Sequence, residues 1–278
     1  VKALVIQSDF GLDDGAVASM YGVALSCDPS LQIYNLTHNI PPYNIWEGSF
    51  RLAQTIGYWP QGTVFVSVVD PGVGSDRMSV VAKTATGHYI VTPDNGTLTH
   101  VHAIFGITEV RQIDEGENRL RGSEASYTFH GRDVYAYTGA RLAAGIISYE
   151  EVGPRIDPSS LVLLPLSDTI VEPDSITGTI DALDVRYGSL WTSIPRAQFL
   201  DLGFQFGDRV RLYVTHNGGV VHANHVTYVP SFASVEVGES LAYVNSLDRM
   251  AVAINRGSYA RAFDIATGPT WHITLAKL

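Results

Sequence analysis

Two aspartates each follow directly on a run of strand-forming residues. Asp9 comes after the apolar run Lys2 to Gln7, and Asp70 ends the valine-rich run Thr63 to Val69. In open α/β sheets, ligands bind beyond the carboxyl ends of the strands, so acids at such places can reach a ligand. In Ser8-Asp9-Phe10-Gly11-Leu12-Asp13-Asp14, Gly11 lets backbone approach closely, and a carboxylate pair there could grip a cation or a ribose diol. Asp13 or Asp14 equally suits the cap of the helix that follows. Asp70 opens Asp70-Pro71-Gly72-Val73-Gly74, a turn signal in which an aspartate often has a structural part. Arg77 comes soon after and can fold back to pair with it. A third cluster, Thr128-Phe129-His130-Gly131-Arg132-Asp133, puts His130 at a helix start, where it is expected to face a pocket. Asp133 reads as a first-turn helix acid and Arg132 as its partner.

Other familiar chemistries lack their residues. There is no G-x-S-x-G elbow, no phosphate loop ending in Gly-Lys-Ser/Thr and no H-E-x-x-H. Gly72-Val73-Gly74 lacks the third glycine of a dinucleotide fingerprint. His100-Val101-His102 offers two imidazoles without a clustered acid or cysteine, so core or surface histidines are the simpler reading. No metal and no cofactor are expected.

Composition narrows the classes further. The 278 residues are 45% hydrophobic and 17% charged, enough for an ample core and unlike a disordered chain. A net charge of −10 argues against a nucleic-acid binder or a polybasic membrane patch. The single cysteine, Cys27, excludes an intramolecular disulfide framework and any multi-cysteine zinc or iron–sulfur site. It also fits a reducing compartment. The apolar start, Val1 to Ile6, is too short for a signal peptide, and no run nears the roughly 18 apolar residues of a membrane helix. A soluble, cytoplasmic protein is expected.

The elements that must position these residues follow from periodicity. Strands are expected at Lys2 to Gln7, Gln32 to Asn35, Thr63 to Val69, Met78 to Ala82, His88 to Thr92 and Glu109 to Gln112. Helices are expected at Gly15 to Ser26, Tyr43 to Gly57 and Gly131 to Ala144. This alternation implies an α/β unit over residues 1–165 with a mostly parallel sheet flanked by helices. Pro165, Ser167, Asp168, Pro173 and Asp174 interrupt the pattern, so residues 166–177 read as a linker. Short β runs separated by Gly, Asn and Asp turns then suggest a small antiparallel sheet or barrel over 178–278.

Taken together and in order, Ser8-Asp9-Phe10-Gly11, Thr37-His38, Pro42, Glu47-Gly48, Val69-Asp70-Pro71-Gly72-Val73-Gly74, Pro93-Asp94-Asn95-Gly96 and Phe129-His130-Gly131-Arg132-Asp133 carry a resemblance. The chain resembles the S-adenosylmethionine hydroxide adenosyltransferases, adenosine-forming hydrolases related to fluorinase and chlorinase. The likeness continues through Trp191-Thr192, Asn245-Ser246 and Asn255. It implies an α/β domain joined to a β-barrel domain, and a homotrimer or hexamer whose sites lie at subunit interfaces.

The resemblance also implies roles. Asp70, Arg77 and His130 match the family's catalytic triad, whereas the halogenases place tyrosines at the positions of Asp70 and His130. Asp9 falls on the ribose hydroxyls, Asp14 on the methionine ammonium, and Tyr43 on an aromatic surface beside the sugar, with Gly131 in the binding set. Asp184 and Ser246 would reach the methionine end, with Ser189 also in the binding set. Tyr187 and Phe232 would sandwich adenine and Asn255 would read its edge, unless the two rings simply pack the barrel. Ser189 replaces a common asparagine, and Leu247 stands where fluorinase has arginine. The implied reaction is attack of water on ribose C5′ of S-adenosyl-L-methionine, with a halogenase or a non-catalytic nucleoside sensor as alternatives. Which triad member takes the proton is left open by the residues.

Overall fold

The computed structural model describes residues 2–278, which divide into two compact units, residues 2–164 and 165–278. The first unit runs β1 (Ala3–Ser8), α1 (Ala16–Cys27), β2 (Gln32–Thr37), α2 (Ile45–Ile56), β3 (Val64–Val68), β4 (Ser79–Thr84), β5 (Tyr89–Pro93), α3 (Thr99–Phe105), β6 (Ile107–Gln112), α4 (Tyr137–Ala144) and β7 (Arg155–Ile156). Its sheet has the order β2-β1-β3-β5-β4-β6-β7. The first four strands are parallel, and β4, β6 and β7 add on antiparallel. β1 and β3 are buried along their whole length, as strands covered on both faces must be. Alternation of side chains sends Leu4, Ile6 and Val66 to one face with Met20 and Tyr135, and Val5 and Phe65 to the other with Leu52 and Ile56.

Two helix boundaries differ from the periodic pattern, each for a local reason. α2 starts after Tyr43 because Tyr43 sits at φ +67, outside the helical region, and the Asn44 side chain caps the helix by accepting from Glu47 N–H at 3.0 Å. The helix expected from Gly131 opens instead as a π-helix over Gly131–Ala136 before α4 begins. Such wide turns recur at functional sites. Its glycine is required by close approach, since a Cβ on Gly131 would stand 3.1 Å from the Phe10 ring and 3.2 Å from Val68. α3 has no periodic signal in the sequence, being too short to show an apolar face. There His100 packs against Trp46 and Phe50 and meets Ser49 Oγ at 2.9 Å, a core histidine as the simpler reading expects.

The second unit runs β8 (Ile170–Glu172), β9 (Ser175–Leu183), β10 (Leu190–Pro195), α5 (Arg196–Asp201), β11 (Arg209–His216), β12 (Gly219–Tyr228), β13 (Ser240–Val244), β14 (Arg249–Ile254), α6 (Tyr259–Phe263) and β15 (Gly268–Ala276). The order β10-β14-β13-β12-β11-β15-β9 is closed by pairing of β9 with β10, giving a seven-stranded barrel with β8 outside on β9. All its pairings are antiparallel except that of β12 with β13. Ile176, Leu190, Phe199, Val210 and Tyr259 fill the interior. Within residues 166–177, Pro173 and Asp174 form the turn of the β8–β9 hairpin, since Glu172 pairs with Ser175. Among the described residues no helix is long and apolar enough to cross a membrane.

Two buried histidines make the fold acid-sensitive. Burial pushes the His38 and His100 imidazoles down to about 4. The unfolded chain titrates near 6.5, so it takes up protons first as the pH falls. Each histidine's share of stability is therefore whole above about pH 6.5 and is lost as the pH falls through about 4. The full share is about 3 kcal/mol apiece. Thermal melts between about pH 7 and about pH 5 should show a steep fall in Tm, and His100→Gln a shallower one. A Tm that stays flat over that range would remove the buried, neutral state of these rings.

Candidate active site

Asp9 and Asp70 are brought together by the parallel pairing of β1 with β3. Ser8 lies opposite Val68, and Asp9 N–H donates to Val68 O at 3.3 Å, so both acids emerge from the carboxyl ends of adjacent strands. Behind them, Ser8 Oγ meets His38 Nδ1 at 2.7 Å, and Gly11 N–H donates to His38 O at 2.8 Å. Gly11 sits at φ +68, which glycine adopts without strain. The loop after β1 is thereby tied to the end of β2. One oxygen of Asp9, Oδ2, accepts from Tyr43 N–H at 2.8 Å and holds that exposed tyrosine in its left-handed conformation. The other oxygen has no protein partner among the described residues, and Asp9 lines the cavity.

That cavity has a volume of about 390 Å³. Asp9, Phe10, Tyr43, Asp70, His130 and Gly131 are among the residues on its wall. Arg77 stands behind Asp70. Its Nε donates to Asp70 Oδ1 at 2.9 Å and its Nη2 to Oδ2 at 2.5 Å, a bidentate pair with side chains only 10% and 5% exposed. The same Nη2 meets His130 Nδ1 at 3.0 Å. Carboxylate, guanidinium and imidazole thus form one connected group.

The Arg77 guanidinium has its own supports. Nη1 donates to Ser79 Oγ at 3.2 Å, and the guanidinium lies over the Tyr135 ring at 5.7 Å. Ser79 Oγ in turn meets Tyr135 Oη at 3.1 Å and Glu115 Oε1 at 3.3 Å. Burial lowers the Arg77 pKa, but the hydrogen bond to Asp70 together with the nearby Tyr135, Asp70 and Glu115 outweighs this and holds it above the ordinary value. Burial pushes His130 below its usual range. Arg77 and Arg119 push the same way, while Glu115 and Asp70 oppose them. His130 is therefore neutral at pH 7, and the 3.0 Å contact makes Nδ1 the acceptor and leaves the proton on Nε2.

Asp14 lies outside this cavity. It is exposed, and its Oδ1 accepts from Ala16 N–H at 2.8 Å at the start of α1, the arrangement of a capping acid. Asp133 is fully buried and bonded to Arg132 Nε at 2.6 Å. Sequence reasoning missed Ser79, Glu115, Arg119 and Tyr135. Tyr135 comes into reach because of the π-helix, and the only advance sign of Glu115 and Arg119 is their opposite charge four residues apart.

The barrel carries a separate cavity of about 930 Å³. Tyr187, Phe232 and Asn255 line it, with Arg186, Arg256 and Arg261. Tyr187 is 68% exposed, so its ring is not barrel packing, whereas Phe232 is tilted against Tyr243 at 4.9 Å. Asp184 builds the turn that presents Tyr187, its Oδ1 accepting from the N–H groups of Arg186 and Tyr187 at 3.0 and 3.1 Å. Ser189 is buried. Ser246 is exposed in the turn between β13 and β14. Neither Ser189 nor Ser246 is on the wall of this cavity. The Asn255 amide donates to Val235 O at 2.8 Å, which leaves its side-chain oxygen for a ligand.

Fold and site define a class: an α/β unit with acids, guanidinium and imidazole at its strand ends, joined in sequence to a small barrel with its own aromatic-lined cavity. The chain belongs to the SAM hydroxide adenosyltransferase family, whose N-terminal domain matches residues 4–153 and whose C-terminal domain matches residues 178–272. It is 34% identical over 275 residues to a protein of Salinispora tropica named (R)-S-adenosyl-L-methionine hydrolase, covering 96% of this chain and 95% of that one. A protein of Methanocaldococcus jannaschii with the same name is 31% identical, covering 87% and 84%. A fluorinase of Nocardia brasiliensis is 28% identical, covering 95% and 94%. Among solved structures, an uncharacterized conserved protein from Thermotoga maritima matches with a TM-score of 0.89 at 32% identity, covering 99% of this chain and 100% of that one.

Proposed function

We propose that this protein hydrolyses S-adenosyl-L-methionine to adenosine and L-methionine. The observation that carries the reading is the Asp70–Arg77–His130 group, whose Asp70 and His130 line a cavity together with Asp9, an acid that keeps a free oxygen. Water bonded to Asp70 attacks ribose C5′, the C5′–S bond breaks, and its electron pair goes to sulfur, turning the sulfonium into a neutral thioether. The leaving group needs no acid. What the residues supply is placement of one water in line, an effect of about 7–11 kcal/mol.

Asp70 is the proton acceptor in this reading. Each of its oxygens already accepts one N–H from Arg77 but keeps a lone pair, whereas His130 Nδ1 faces Arg77 and Nε2 faces Arg119. Arg77 fixes the carboxylate, and His130 Nδ1 accepts from Arg77 and holds that guanidinium in place. Asp9 accepts from the ribose hydroxyls, and Tyr43 and Gly131 flank the sugar. Tyr187, Phe232 and Asn255 hold adenine, and Asp184, Ser189 and Ser246 belong to the methionine end. A trimer or hexamer, with the barrel of one subunit serving the α/β site of its neighbour, completes the reading.

A halide in place of water is disfavoured by Asp70. Two like charges 4 Å apart repel by about 4 kcal/mol at an effective dielectric of 20. Incubation with substrate and chloride in heavy-oxygen water, followed by mass spectrometry, tests this. Label in the adenosine hydroxyl and release of methionine are expected. A chlorinated deoxyadenosine, or stoichiometric binding without methionine release, would overturn the proposal.

A further inference from the structure

The long connection between β6 and the π-helix, residues 113–130, holds a buried arginine that the proposed chemistry does not use. Loops of this length are uncommon unless functional. Arg119 is 8% exposed, and its donors are almost all engaged. Nη1 donates to Glu115 Oε2 at 2.9 Å, Nε to Ser123 Oγ at 3.2 Å, and Nη2 to Ser123 O at 3.3 Å and Ser126 O at 2.5 Å. The guanidinium lies over the Tyr127 ring at 4.8 Å. Nη1 also stands 3.5 Å from His130 Nε2.

We infer that Arg119 is a positioning residue for the site proposed above, clamping the segment that carries His130 and facing the second ring nitrogen with a positive group. The imidazole lies between two guanidiniums, Arg77 at Nδ1 and Arg119 at Nε2. The neutral ring with its proton on Nε2 meets one donor, Arg119, only at the longer distance of 3.5 Å, whereas a protonated ring would also turn an N–H on the Arg77 donor at 3.0 Å, with nothing to accept either. The charged and titratable groups around it are Asp70 and Arg77 from the segment between β3 and β4, and Glu115, Arg119 and Tyr127 from the long connection. Glu115 joins the two arginines, since it bonds Arg119 directly and Arg77 through Ser79. The clamp therefore sets the state of His130 without touching substrate.

The inference rests on the hydrolase reading, and its test separates the two. Proton–nitrogen NMR of the imidazoles, with His130→Gln to assign the signal, reads the tautomer and titration directly. The full-length protein should show His130 neutral, with its proton on Nε2, at about pH 6.5, where a free histidine is half protonated. Arg119→Met should raise its titration midpoint by about one unit or more, while Arg119→Lys keeps it low. Turnover by Arg119→Met should fall by up to about tenfold in mild acid, the most a one-unit shift allows, and recover toward pH 8.5, with KM within about threefold. A His130 that titrates at its ordinary value in the unaltered protein overturns the clamp even if Arg119→Met fails to fold. So does an unchanged midpoint, or an equal loss at every pH, in a folded Arg119→Met. An unaltered protein that releases no methionine but shows the stated titration overturns the hydrolase reading and supports the clamp.

Discussion

Asp70→Asn should reduce turnover of S-adenosyl-L-methionine by about 10²–10⁴-fold, the ordinary contribution of a placed general base. Asparagine keeps the shape and one acceptor for Arg77 but cannot take the water proton. Adenosine affinity should change by less than about threefold, since the proposed ribose acceptor, Asp9, follows a different strand. Asparagine isolates the chemistry better than alanine. Asp70→Ala should also nearly abolish turnover, but it strands a guanidinium that is only 10% exposed, and breaking such a pair costs about 3–5 kcal/mol. Steady-state rates and calorimetric adenosine binding on the same preparation separate the two effects. If Asp70→Asn retained full turnover, the water site would have to lie elsewhere.

Asp9→Ala should weaken adenosine binding by about 10–100-fold, from loss of charge-assisted hydrogen bonds worth about 1.5–3 kcal/mol. Two losses coincide at this residue. The ribose loses its acceptor, and Tyr43 loses the bond to Asp9 Oδ2 that holds its backbone at φ +67. Asp9→Asn distinguishes them, because an amide oxygen can still accept from Tyr43 N–H while its NH₂ group replaces the second acceptor. It should keep Tyr43 in place and still bind adenosine more weakly than the parent. At saturating substrate the rate of either variant should fall far less than that of Asp70→Asn. Unchanged affinity in Asp9→Ala would take the ribose from Asp9.

Much of the site was legible in the sequence because strand ends announce themselves. Asp9 and Asp70 follow apolar runs that must be buried, and glycines beside Asp9 and His130 mark close backbone approach. The three groups that the fold brings together, Asp70, Arg77 and His130, were readable from the ordered motifs. Parts of the support were not. Ser79, Glu115 and Arg119 are common residue types in ordinary surroundings, and no periodicity relates them to His130. Their roles arise from contacts between segments far apart in sequence, such as Ser79 with Glu115 and Arg77 with His130.

By itself, the amino-acid order determined the α/β-then-barrel architecture, the family, and the acids, arginine and histidine on which the proposed chemistry rests. These follow from local patterns of burial and turn formation, which act over a few residues. Only the folded chain decided that both nitrogens of His130 face guanidiniums, that Asp184 builds the turn under Tyr187, and that Asp14 bonds the start of α1 outside the cavity. Those outcomes depend on side-chain distances of a few ångströms between distant segments, and such distances are set by packing rather than by any spacing along the chain.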